Sequence, residues 1–128
     1  MIEREAGKII FTASLLTFQG GINVPSYAAS KGAVVSLVKS LAVGYAEAGV
    51  RVNCVCPGNV DTDMMARSAE RADDPAAYRA AAEARAPMRR MATPEEVAEA
   101  VLYLASPGAG FTTGVALPID GGGVAGFD

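Results

Sequence analysis

Residues 8–58 read KIIFTASLLTFQGGINVPSYAASKGAVVSLVKSLAVGYAEAGVRVNCVCPG, and their order of patterns decides the fold. Residues 8–14 form a short β-rich run after Gly7 and predict a buried strand. A loop with Gln19-Gly20-Gly21 and Val24-Pro25 follows. Ser26 is a plausible N-cap, and from there to about Ala48 the spacing predicts a helix. Val34, Leu37, Val38, Leu41, Ala42 and Tyr45 share its expected apolar stripe, and Gly49 is its expected stop. Residues 50–56 read as a second strand, closed by Pro57-Gly58. Two short strands flanking one long helix make a β-α-β unit, with parallel strands and a right-handed crossover.

Within this unit a phenol and an ammonium, Tyr27 and Lys31, lie one helical turn apart on one face. Ser14 ends the preceding strand, so a hydroxyl can meet them at the strand's C-terminal end. A tyrosine ordinarily titrates near ~10, too high for easy proton exchange at neutral pH, and a neighbouring ammonium favours the phenolate. An acid–base site of this kind needs no histidine, and the chain has none.

The remaining sequence extends the same pattern. Residues 61–90 are rich in Ala and Arg and contain Asp73-Asp74-Pro75, which predicts two short helices forming a lid. Six arginines fall there: Arg67, Arg71, Arg79, Arg85, Arg89 and Arg90. One of them could pair with a substrate carboxylate. Thr93-Pro94-Glu95-Glu96 is a helix start with a capping box, and Val97, Val101, Leu102 and Leu104 are the expected apolar face of that helix. Residues 115–119 predict a third strand, with Asp120-Gly121-Gly122-Gly123 as a tight turn. The expected architecture is therefore α/β: three parallel strands with flanking helices, the C-terminal half of a doubly wound sheet. The first strand's apolar character suits the interior of a wider sheet.

Composition narrows the function. The chain has 128 residues, is 51% hydrophobic and carries a net charge of −3 with no basic stripe, so nucleic acid is not an expected partner. No apolar run approaches the roughly 20 residues of a membrane helix, and the charged N-terminus does not resemble a signal peptide, so a cytoplasmic location is expected. Cys54 and Cys56 are expected to be buried hydrophobes, and no metal site is expected. The segment Gly108-Ala109-Gly110-Phe111-Thr112-Thr113-Gly114 lies between a helix and a strand, the reverse of a phosphate-binding glycine turn.

Ser14, Tyr27-Ala28-Ala29-Ser30-Lys31, Asn53 with Pro57-Gly58, Thr62 and Asp120-Gly121-Gly122 together resemble the short-chain dehydrogenase/reductase family. The resemblance covers almost the whole chain and implies the C-terminal portion of a Rossmann-type fold using NAD or NADP. It implies that Tyr27 is the acid/base. It makes Lys31 the residue that assists it and binds the nicotinamide ribose, and Ser14 the residue that orients the substrate oxygen. Pro57 and Gly58 would pack beside the nicotinamide. Val60 and Thr62 would contact its carboxamide and the nearby phosphate. Residues 61–92 correspond to the family's substrate-binding lid, and the glycine-rich cofactor turn is expected to lie in an N-terminal half outside these residues.

The implied reaction interconverts a secondary alcohol and a ketone. Residues 18–27, FQGGINVPSY, are similar to deoxygluconate and gluconate dehydrogenases of the family, which points to a sugar acid or polyol. 3-Oxoacyl thioesters are the alternative substrate class. The alternative to an enzyme is a truncated, inactive remnant that acts through subunit contacts. A homo-oligomer is expected through the long helix and the last helix and strand.

Overall fold

In the computed structural model, which describes residues 1–126, three parallel strands stand in the order β1 (Gly7–Thr12), β2 (Val50–Pro57) and β3 (Ala116–Ile119). The expected three-stranded α/β architecture is thus present. β1 and β2 align Gly7 with Val50 through Thr12 with Val55. β2 and β3 align Cys54 with Ala116 through Pro57 with Ile119.

β2 is the centre of the molecule, because alternate residues serve opposite faces of a strand. Val50, Val52, Cys54 and Cys56 pack against the long helix α1 (Pro25–Tyr45), which contributes Val35, Val38 and Ala42 to the same core. On the other face, Arg51 donates to the carbonyls of Leu104 and Ser106 at the end of helix α4 (Pro94–Ala105) and to that of Thr112 in the loop before β3. The Leu104 carbonyl is one of those that a helix C-terminus leaves without an internal partner. Asn53 adds a clasp, donating to Thr112 O and accepting from Val115 N.

Helix α1 begins one residue before the expected cap. Val24 holds the N-cap position without a side-chain bond and Pro25 opens the helix. Proline's fixed φ and missing N–H suit that first position, so the turn closes without the Ser26 hydroxyl. Its buried row also differs from expectation: Val35, Val38 and Ala42 face the sheet, whereas Leu37 and Tyr45 are exposed. The helix is apolar nearly all round, so spacing alone does not choose the inner face. The helix stops at Tyr45, before the expected Ala48. A short turn then leads to Gly49, whose φ of 68° and close approach to the Glu5 carbonyl leave no room for a side chain.

Between β2 and α4 lie α2 (Asp63–Glu70) and α3 (Pro75–Ala84), the two expected short helices. Thr62 caps α2 and Asp74 caps α3. The ends of this excursion are zipped together. Asp61 N donates to Ala92 O at 2.9 Å and Ala92 N to Asn59 O at 3.0 Å, around a parallel Val60–Ala92 bridge. α4 opens with the capping box read from the sequence, Thr93 and Glu96 each bonding the other's backbone. In this helix Leu104 is fully buried, but Leu102, expected on the same face, is 62% exposed. Two residues apart on a helix, the side chains point ~200° apart, and the sheet takes Leu104. Cys54 and Cys56 are buried free thiols, as expected. Burial pushes the Cys56 thiol up to about 12, with Cys54 beside it adding to the rise.

Two stability measurements follow. Leu104→Ala is expected to cost ~2–5 kcal/mol and Leu102→Ala less than ~0.5 kcal/mol, read by urea unfolding; equal losses would contradict the packing. The Arg90 guanidinium, hydrogen-bonded to Glu96, holds that carboxyl down at about 2. A depressed folded value stabilises above the ordinary carboxylate range and is lost as pH falls. The melting temperature of Glu96→Gln should therefore lie below wild type at pH 6, with the gap closing toward pH 3. A gap independent of pH would refute the ion pair's role.

Candidate active site

Parallel pairing brings the C-terminal ends of all three strands to one edge of the sheet. Ser14 follows β1, Gly58 follows β2 and Asp120 follows β3. Gly58 N donates to Ile119 O at 2.9 Å, which locks the second turn against the third. A Cβ on Gly58 would come within 3.1 Å of Asp120 and 3.2 Å of Leu15, so only glycine lets these loops close up without displacement. Asp120 is held in turn: its carboxylate accepts from Gly122 N at 3.1 Å and Val124 N at 2.8 Å.

A cavity of about 1300 Å³ opens over these strand ends. Ser14, Tyr27, Gly58, Val60 and Thr62 line it, so five of the seven sequence-predicted site residues meet in one space. Ser14 is buried, and its Oγ accepts from Leu16 N at 3.2 Å while capping a short 3-10 turn. One lone pair is used, which leaves the hydroxyl proton free to donate. Tyr27 sits in the first turn of α1, 46% exposed, with no hydrogen-bond partner for its hydroxyl among the described residues.

Lys31 and Pro57 stand outside the lining. Lys31 reaches back from α1 and donates to Thr12 O, the last carbonyl of β1, at 3.0 Å. Its Nζ lies 5.6 Å from the centre of the Tyr27 ring, within cation–π range. The helix spacing foretold the pairing of these two side chains; the tether to the strand end depends on lysine's reach and is visible only in three dimensions. Pro57 is the last residue of β2 and leads the backbone into the Gly58 turn.

The excursion supplies the opposite wall, through Met65 of α2, Tyr78 of α3 and Met88 beyond it. Its placement is braced by Arg79, whose guanidinium makes a two-pronged pair with Asp61 at 3.0 and 3.1 Å. That contact holds the Asp61 carboxyl below its ordinary range. Asn59 Nδ2 donates to Ala82 O at 2.9 Å, tying α3 to the turn after β2. Sequence reading quoted Asp120 only as a motif residue and did not single out Tyr78 or Met88. Nothing local marks Tyr78 or Met88; only the fold of α3 over the strand ends places them here.

Known proteins resemble this chain in sequence and in fold. A family model described as Enoyl-(Acyl carrier protein) reductase matches residues 1–123. The 2-dehydro-3-deoxy-D-gluconate 5-dehydrogenase of Pseudoalteromonas atlantica is 46% identical over 95% of this chain and 46% of its own length. The cis-4-hydroxycyclohexanecarboxylate dehydrogenase of Sinomonas cyclohexanicum is 45% identical over 91% of this chain and 45% of its own length. Among solved structures, the actinorhodin polyketide ketoreductase with NADPH superposes with a TM-score of 0.90 at 39% identity, over 97% of this chain and 49% of that one. The chain thus spans about half the length of the relatives it matches. Its sequence, its parallel sheet and these matches place it in the short-chain dehydrogenase/reductase family.

Proposed function

We propose that residues 1–128 form the proton-transfer and substrate-binding portion of a nicotinamide-dependent oxidoreductase, with residues 61–92 as its lid. The reaction interconverts a secondary alcohol and a ketone. The observation that carries this reading is the convergence of Ser14 and Tyr27 on one cavity, with Lys31 anchored behind the Tyr27 ring. Tyr27 Oη exchanges a proton with the substrate oxygen. Ser14 Oγ donates a hydrogen bond to that oxygen and fixes its position. The Lys31 ammonium, held in place by Thr12 O with its Nζ 5.6 Å from the centre of the Tyr27 ring, favours negative charge on the phenol.

The residues present fit the nicotinamide end of such a cofactor, NAD or NADP. Gly58, Val60 and Thr62 line the same cavity as Tyr27, and the side-chain-free Gly58 turn with the apolar Val60 offers a surface for a flat ring. When bound there, the nicotinamide gives or receives the hydride. Lys31 would hold its ribose, and the backbone around Pro57 and Gly58 would pack beside the ring. Among the described residues no glycine-rich turn leads directly from a strand into a helix, so the pyrophosphate and adenosine would be held by an N-terminal half.

The substrate reading is a small hydroxylated acid or polyol such as D-gluconate, supported by relatives named for hydroxy-acids. A second reading, contact between subunits, draws on the exposed apolar residues Leu37 and Val43 on α1 and Leu102, Tyr103 and Phe111 near the C-terminus. These are the surfaces expected to join copies in a homo-oligomer, whether or not the chain is catalytic.

A completed enzyme, with residues 1–128 joined behind the nucleotide-binding half of a family member, tests the reading. Tyr27→Phe should lower alcohol oxidation by ~10²–10⁴-fold with cofactor affinity changed less than about twofold. Undiminished turnover would remove Tyr27 from the chemistry. The 128-residue chain alone should show no saturable NADH or NADPH fluorescence at micromolar concentration; clear saturation would refute the division of labour.

A further inference from the structure

Six arginines lie in or beside the lid, and the structure separates them. Arg79 is committed to Asp61 and Arg90 to Glu96, each through two hydrogen bonds. Arg89 also has a partner. Arg67 and Arg71 do not line the cavity. Arg85 does line it, and it has no ion-pair partner among the described residues.

The cavity's other charges leave Arg85 in a distinct position. Its lining holds two acids, and both are occupied. Glu96 is paired with Arg90, and Asp120 accepts two backbone N–H groups. The second cation of the lining is Arg90 itself. Among the described residues, Arg85 is thus the one arginine of this lining without a carboxylate of its own. It occupies the C-cap of α3, where a cation is favoured by the helix dipole, and its chain neighbours Ala84 and Ala86 also line the cavity. Two small neighbours leave the planar group room to meet a ligand edge-on. A guanidinium with parallel N–H donors matches a carboxylate in geometry and charge.

We propose that Arg85 recognises a carboxylate on the substrate, so that the cavity selects hydroxy-carboxylic acids over neutral alcohols. This rests on reading the cavity as a secondary-alcohol site. The acid is gripped from the lid while its hydroxyl is presented to Ser14 and Tyr27 at the strand ends.

The test is a substrate panel on the completed enzyme: D-gluconate and cis-4-hydroxycyclohexanecarboxylate against their neutral counterparts D-glucitol and cyclohexanol. Wild type should favour the acids. Arg85→Gln should raise KM for the acids by about 10- to 100-fold, the loss of a hydrogen bond to a charged group. It should leave kcat within about threefold and the neutral alcohols unchanged. Arg85→Lys should recover part of the loss. Equal losses on acids and neutral alcohols would make Arg85 merely structural and overturn the proposal. So would unchanged kinetics on the acids. A wild type that oxidises only the neutral alcohols would refute carboxylate recognition and leave the oxidoreductase reading standing, whereas oxidation of none of the four would remove both.

Discussion

The parallel pairing of β2 with strands on both sides is the constraint on which the rest of this structure depends. Parallel strands share a direction, so their C-terminal ends share an edge, and the loops that leave them must meet. Ser14, Gly58 and Asp120 are neighbours for that reason alone. A slip of one residue in the β1–β2 register would turn β1's inner face outward and carry Ser14 away from the Gly58 turn. The register is held by a buried face. Val50, Val52, Cys54 and Cys56 have no exposed alternative, and α1 covers them with Val35, Val38 and Ala42. Burial of roughly 25 cal/mol per Å² of apolar surface makes that arrangement far cheaper than any other.

The same core positions the chemistry. Because α1 is fixed on β2, the first turn of α1 lies above the end of β1, and Lys31 can reach Thr12 O. That bond links the helix carrying Tyr27 to the strand preceding Ser14. The opposite face is secured differently. Arg51 and Asn53 direct their polar groups to backbone carbonyls and amides of residues 104–115, which ties α4 and the approach to β3 to the sheet beside the buried Leu104 and Val55. The helical excursion between β2 and α4 is attached at its base by the Val60–Ala92 bridge and by Arg79 and Asp61.

Much of this was legible in the sequence because the signals are local. The apolar runs flanking a long helix, the Thr93/Glu96 capping box, the Asp74-Pro75 helix start and the Pro57-Gly58 turn each depend on residues a few positions apart. The four-residue spacing of Tyr27 and Lys31 likewise announced their shared face. What was hidden depends on where whole elements pack. Spacing could not show that Leu37 and Leu102 face outward, because both helices carry apolar residues on more than one side. Nor could it show which arginines of residues 61–90 are spoken for: Arg79 meets an aspartate 18 residues away, and that contact exists only once α3 lies beside the start of α2. Pro25 displacing Ser26 as the helix start is a competition between two good local signals, and the proline's fixed backbone won.

The central claim is that one substrate oxygen is shared by Ser14 and Tyr27. A crystal structure of the completed enzyme with cofactor and a bound hydroxy-acid tests it most directly. The account predicts the reacting oxygen within about 3.2 Å of both Ser14 Oγ and Tyr27 Oη, with Lys31 still beside the Tyr27 ring. An oxygen held by any other pair of groups, with Tyr27 Oη out of reach, would contradict it.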